Sequence, residues 1–416
     1  MDTIKINQIL NDTAYERLGG RPEELRCAEY LQKCCKEIGL AAKLESFEVD
    51  LGDIHEAKLY VDGEEIPCKG FMCAGSGEVE APLYYLRNQD AYSMKQCKGK
   101  IVLIDGYMKY WTYQDLVDQG ALGFIVYDSN ANYADEDIIQ RELRTYVSNG
   151  RVIPGVSINV KTAIRLVNQN AKMAKMILNQ TEYKGKSQNV VAEIPGETEE
   201  YIVFTAHYDS TSLSTGAYDN MSGSIGILGI AEHFMNHPHR YGLRFVWCGS
   251  EERGLLGSKA YCRDHEEELE KAVLVINLDM IGCIMGKFIS CCTSEDKLVH
   301  YIEYLAQEAG FGIDVHDGVY SSDSTPFADK GVPAVSFARI APDNTATIHN
   351  RYDTLDVMKA EQLMEDLSFI LTFAERMLNA KNCPVKREIP DSIKDKIDVY
   401  MFRKRGDHNL RKAGSR

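Results

Sequence analysis

The chain has 416 residues, 44% of them hydrophobic, with 47 basic against 62 acidic side chains and a formal net charge of −15. That length is enough for a large core and suggests two domains, with room for a third. So acidic a balance argues against a nucleic-acid partner, which needs a basic surface, and suits anionic membrane poorly.

The opening residues, Met1 to Asn7, show neither an apolar h-region nor a small-residue cleavage site, so no signal peptide is expected. No apolar run reaches the roughly 18 residues of a membrane span. A cytoplasmic protein is the expectation. The twelve cysteines include the vicinal pairs Cys34-Cys35 and Cys291-Cys292 but no CxxC spacing. They read as reduced, buried thiols and not as a zinc knuckle.

Leu25, Ala28, Leu31, Cys35 and Ile38 recur at helical spacing, with Pro22 near the start and Gly39 just past the end. Alternation from Lys43 to Val49 predicts a strand. From about 51 to 185 short strand-like runs dominate: Lys58 to Val61, Ile101 to Ile104 and Gly123 to Tyr127. The stretch GKIVLIDG followed by YQDLVDQGALGFIVYD reads as strand, short helix, glycine break and buried strand. No titratable cluster with catalytic spacing occurs in it, so the segment reads as an inserted module.

After about 186 the pattern becomes regular α/β. Apolar runs at Tyr201 to Ala206, Leu243 to Trp247, Val273 to Leu278 and Ala334 to Phe337 predict strands. Helical segments lie near Met221 to Met235, Leu255 to Asp264, Lys297 to Ala309 and Lys359 to Leu378. Strands apolar throughout and alternating with helices imply a mixed, largely parallel sheet with helices on both faces. Residues 384–416 lose periodicity and read as a tail or peripheral segment. The expected domains are therefore 1–50 with 186–383, and 51–185.

Ligands bind beyond the carboxyl ends of strands in open α/β sheets. His207 and Asp209 follow the first of these apolar runs, Glu251-Glu252 the second, and Asp279 ends the third. Asp219 sits in the turn GAYDNMSG, and His349 stands in the loop before the last long helix. Each has a bland reading: a loop histidine, a helix N-cap, a solvated Glu-Glu pair. Their convergence on strand ends is the stronger signal. An HxD pair lets the carboxylate fix the imidazole tautomer. A buried Asp279 is costly without a cation. Neighbouring side chains on extended backbone diverge, so Glu251 and Glu252 can take different tasks. Two histidines and three acidic ligands without cysteine suit zinc or a similar divalent ion. Gly223, Gly226 and Gly229 are spaced by three and predict close packing of a helix on the sheet. His55, His233, His237, His239, His265, His300, His316 and His408 lack the strand-end context.

The motifs HYDS at 207, GAYDNMSG at 216, GSEERGLLGS at 249, NLDMIG at 277, SDSTPFADKGVPA from 322 and TIHNRYDTLD at 347 resemble those of the dizinc exopeptidases. That family includes bacterial leucyl-type aminopeptidases, glutamate carboxypeptidases, the transferrin receptor and glutaminyl cyclases. The resemblance implies that His207 and Asp279 hold one zinc and Glu252 and His349 the other. Asp219 would bridge the two, Glu251 would be the general base for attack by a shared hydroxide, and Asp209 would support His207. It also implies a peptide substrate. Residues 51–185 resemble a β-rich protease-associated domain. Two departures stand out: Ser321 and Ser324 flank Ser322-Asp323 where many aminopeptidases of the group carry Arg and His near the substrate. An aminopeptidase is the expected activity. A carboxypeptidase or dipeptidase, a glutaminyl-cyclase-like acyltransferase and an inactive receptor-like protein are the alternatives.

Overall fold

The computed structural model describes residues 1–127, 132 and 134–406; residues 407–416 of the expected tail, His408 among them, lie outside the described residues. The chain divides into two compact units, Met1–Phe47 with the chain from Lys186 onward, and Glu48–Gly185. The boundaries fall inside two long strands, Ala42–Val61 and Met173–Ile194.

In the first unit the sheet runs in the order Asp314–Asp317, Lys287–Thr293, Ala334–Ile340, Ala272–Leu278, Tyr201–His207, Gly242–Cys248 and the end of Met173–Ile194. The four pairings Gly242–Cys248 with Tyr201–His207, Tyr201–His207 with Ala272–Leu278, Ala272–Leu278 with Ala334–Ile340, and Lys287–Thr293 with Asp314–Asp317 are parallel. The remaining two are antiparallel.

Period-2 alternation sends each central strand's side chains to two different cores. Ile202, Phe204, Leu274, Ile276, Phe245 and Trp247 pack with the helices Pro22–Glu37, Ser222–Phe234 and Ala360–Leu378. Val203, Val246, Cys248 and Val275 pack with Tyr261, Phe327, Ile393 and Ile397 on the other face. Both faces are therefore covered, which is why these strands read as unbroken apolar runs. The segment from 384 contributes the helix Asp391–Tyr400 to that second core, through Ile393 and Ile397.

Two sequence expectations need correcting. A helix, Thr3–Asp12, precedes the one expected, which spans Pro22–Glu37. In the latter, Leu25 is 41% exposed, while Glu24 is fully buried with Cys27, Ala28, Leu31, Cys34 and Cys35. Positions 24, 27–28, 31 and 34–35 form one helical stripe, and residue 25 lies about 100° off it.

The glycine spacing has a steric cause. A Cβ on Gly223 would lie 2.2 Å from the carbonyl oxygen of Leu278, and one on Gly226 2.5 Å from the Leu278 side chain. The helix Ser222–Phe234 can thus rest directly on the strand that ends at Asp279.

The second unit has its own sheet. Gly77–Tyr85, Ile101–Asp105, Gly123–Tyr127 and Gly155–Ile158 pair in parallel in that order. Antiparallel neighbours flank them, and two buried clusters cover its faces. All twelve cysteines are free thiols, ten of them buried. Among the described residues no helix is long and apolar enough to cross a membrane.

Candidate metal centre

Three parallel strands end at the same edge. His207 is the last residue of Tyr201–His207 and pairs in register with Cys248. Glu251 and Glu252 lie just beyond Cys248, and Asp279 follows Leu278. Asp219 enters from the turn before the helix Ser222–Phe234, with extended backbone at φ −112° and a cis peptide bond to Asn220. His349 comes from a loop and carries φ +61°.

These residues form two adjoining clusters, His207–Asp219–Asp279 and Asp219–Glu252–His349. Asp219 belongs to both. Its Oδ1 is 3.1 Å from His207 Nε2, and its Oδ2 is 3.0 Å from His349 Nε2. Asp279 Oδ1 is 3.7 Å from His207 Nε2, and Glu252 Oε2 is 3.1 Å from His349 Nε2. Glu251 Oε2 stands 3.9 Å from His207 Nε2. His207 and the four carboxylate side chains are nearly closed to solvent, whereas the His349 side chain is 33% exposed. The centre therefore opens on the His349 side.

Main-chain hydrogen bonds hold the donors in place. Asn220 donates to the Leu278 carbonyl at 2.9 Å and accepts from Met280 N–H at 3.0 Å, linking the Asp219 turn to the strand that carries Asp279. Asp353, four residues after His349, accepts from Tyr218 N–H at 2.9 Å and Asp219 N–H at 3.3 Å. Glu24 accepts from Ser250 N–H at 2.8 Å and Ser187 Oγ–H at 2.9 Å. Ser250, two residues before Glu252, and Met280, next to Asp279, have φ of +53° and +70°. Left-handed backbone at non-glycine residues costs on the order of 1–3 kcal/mol and persists where the surroundings fix it.

Electrostatics point the same way. Burial opposes ionisation of Asp219, but the hydrogen bonds from His207 and His349 hold its carboxyl below the usual range. Burial pushes Glu251 well above the carboxylate range, with His207 opposing and Glu252 adding to the shift. Burial also raises Glu252, against the pull of His349. Burial and then the charge of Asp219 push Asp353 up to about 7. The pocket thus concentrates buried carboxylate with two imidazoles as its partners. Asp279 Oδ1 is buried without a hydrogen-bond partner. Such a group is costly unless a cation meets it. Imidazole nitrogen and carboxylate oxygen, with no thiolate in either cluster, are the donors zinc accepts. The residues fit divalent metal.

All seven residues singled out from sequence, His207, Asp209, Asp219, Glu251, Glu252, Asp279 and His349, meet here. Ser321 and Ser324 are engaged elsewhere. Ser321 Oγ is 2.8 Å from the Tyr400 hydroxyl, and Ser324 Oγ is buried 2.9 Å from Ser336 Oγ. Asp323 between them is buried, accepting from Ser258 Oγ–H at 2.6 Å. Asn220, Asp353 and Glu24 were not legible as support: the first two sit inside motifs already noted, and nothing local marks the third. Among the described residues the other histidines form no such cluster; His233 and His237, for example, stack at 3.8 Å between ring centroids.

A doubly covered α/β sheet ending in two histidine–carboxylate clusters defines a metallohydrolase. The pattern of peptidase family M28 matches residues 189–373, the stretch that holds every one of these donors. Aminopeptidase YwaD of Bacillus subtilis (strain 168) is 28% identical over 382 residues, covering 86% of this chain and 80% of its own. A probable leucine aminopeptidase 2 of Arthroderma benhamiae is 28% identical over 280 residues, and the match spans 52% of that protein, about half its length. Among solved structures, a zinc aminopeptidase from Bacillus subtilis has TM-score 0.76 at 24% identity, over 94% of this chain and 98% of that one. An aminopeptidase from Aneurinibacillus sp. strain AM-1 has TM-score 0.74 at 22% identity, over 92% and 96%.

Proposed function

We propose that this chain is a zinc-dependent aminopeptidase with two metal ions. The observation that carries the reading is Asp219, whose two oxygens face two different histidines. His207, Asp219 and Asp279 would hold one ion, and Asp219, Glu252 and His349 the other. Bound zinc supplies Lewis acidity toward a peptide carbonyl and lowers the pKa of water. The chain's own residues do the rest. Glu251 is placed to take a proton and to return it to the leaving amine. Its burial raises its proton affinity, which suits both halves of that exchange. Asp209 fixes the imidazole of His207, whose Nδ1 lies 3.4 Å from Asp209 Oδ1. The restriction to chain termini rests on the aminopeptidase relatives.

Residues 48–185 form a compact unit with no metal cluster among its described residues. We read it as a protease-associated-like module that selects substrates and takes no part in bond cleavage. The test is hydrolysis of amino-acid p-nitroanilides and of free against N-acetylated peptides, with zinc-loaded protein. An aminopeptidase cleaves only the free amines. Equal cleavage of acetylated peptides would favour a carboxypeptidase, and no hydrolysis of either would overturn the reading.

A further inference from the structure

Arg17 lies outside every motif above and between the first two helices, yet it is fully buried. Its guanidinium lies within hydrogen-bond distance of five main-chain carbonyls, three of which share the two N–H groups of Nη1. Nε reaches Tyr208 at 2.7 Å, Nη1 reaches Thr13 at 2.6 Å, Tyr15 at 2.9 Å and Thr215 at 2.5 Å, and Nη2 reaches Gly216 at 3.0 Å. The backbone joins in: Arg17 N–H donates to Ser210 Oγ at 2.9 Å, and Ser210 N–H donates to the Arg17 carbonyl at 3.1 Å.

The three distant acceptors, Tyr208, Thr215 and Gly216, belong to one loop. It begins one residue after His207 and ends three before Asp219. Gly216 adopts φ +57°, and a Cβ there would lie 2.5 Å from Arg17 Nη2. Only glycine admits the guanidinium so closely while holding that backbone. The loop thus closes around the arginine, and its two ends carry a donor of one cluster and the donor shared by both.

We propose that Arg17 is a positioning residue that sets the separation of His207 and Asp219 by clamping the loop between them; this rests on the two-metal reading above. The task needs a planar fork with N–H donors on three separate nitrogens, which arginine has and lysine lacks. A lysine ammonium offers three donors from one atom and cannot reach both arms of the loop. A relaxed loop would let the two donors drift apart. Metal affinity would fall, since supporting groups behind metal ligands are commonly worth roughly 10–100-fold in affinity.

The experiment compares wild type with Arg17→Lys, Arg17→Met, Ser210→Ala and Arg244→Met. Arg244 is the control: it bonds Glu268, Glu193 and two tyrosines near the start of the strand Gly242–Cys248, away from the metal end. Each protein is stripped with chelator, melted, and titrated with zinc against a chromophoric competitor. We expect Arg17→Lys and Arg17→Met to bind zinc about 10–100-fold more weakly. Ser210→Ala removes the hydroxyl that accepts from Arg17 N–H and donates to the Ser214 carbonyl at 3.2 Å but leaves the guanidinium contacts, and should weaken zinc less, in the same direction. Arg244→Met should lower the melting temperature with zinc affinity unchanged. Folded Arg17 variants with wild-type zinc affinity would overturn the proposal. So would equal weakening by Arg244→Met at the same loss of melting temperature. If the Arg17 variants do not fold, Ser210→Ala decides: wild-type affinity there overturns the clamp. A wild-type protein that takes up no zinc overturns the metal reading, and the proposal with it.

Discussion

The Asp209 carboxylate accepts the backbone N–H of Glu251 at 3.0 Å through Oδ1, and that of Glu252 at 3.2 Å through Oδ2. The same Oδ1 lies 3.4 Å from His207 Nδ1. One buried side chain therefore holds the turn that carries the proposed base and faces the His207 ring. Asp209→Asn keeps the size but turns one acceptor into a donor that meets an N–H. Zinc affinity or kcat should fall about 10–100-fold, the usual range for a group behind a metal ligand. Zinc titration and steady-state kinetics check it. A variant within twofold of wild type on both would show that Asp209 only fills space.

Glu251 and Glu252 are adjacent and give an internal control. Glu251→Gln keeps the shape and removes the basic carboxylate. Both ions should stay bound, and kcat should fall by roughly 10²–10⁴ with little change in KM. Glu252→Gln should instead loosen metal on the His349 side, with partial rescue by added zinc. Near-normal kcat for fully loaded Glu251→Gln would remove it as the base.

Because both oxygens of Asp219 are committed to different histidines, its loss should be felt at both clusters. Elemental analysis after dialysis should find Asp219→Ala depleted in both ions and His349→Ala depleted mainly in one. Chelation should abolish hydrolysis, and Zn²⁺ should restore it. Equal metal content in the two variants would count against the shared role.

The metal-capable residues were legible because each stands where an apolar strand stops or a turn opens onto the sheet, and that context is local. The central strands were legible for the same reason. Lys287–Thr293 was not singled out, and Asp314–Asp317 is exposed at every residue but Val315, so it carries no apolar run. Arg17 and Glu24 were illegible for a different reason. Arg17 meets Gly216 across 199 positions and Glu24 meets Ser250 across 226. Neither contact leaves a spacing or composition that a reader of the chain could find. The helix stripe even favoured Leu25 over Glu24, because a buried carboxylate looks wrong until its donors are known.

Glu24 supplies a pH prediction. Burial first, and the charge of Asp209 second, push its carboxyl up to about 8, while hydrogen bonds from Gly20, Ser187 and Ser250 resist. In the unfolded chain the group titrates near the ordinary glutamate value of about 4.3. Between the two pH values the folded state holds a proton that the unfolded state has released. Stability from this group is then full below about pH 4.3 and declines as pH rises, by at most about 1.4 kcal/mol per unit, until the folded pKa is passed. Glu24→Gln is neutral throughout and cannot show that decline. Urea unfolding of both proteins with chelator present, from pH 5 to 8, reads the difference directly. Wild type minus variant should fall steadily across that range. Parallel curves would mean the proton is not retained on folding. That outcome would mean that the donors from Gly20, Ser187 and Ser250 overcome burial and keep Glu24 ionised in the folded protein.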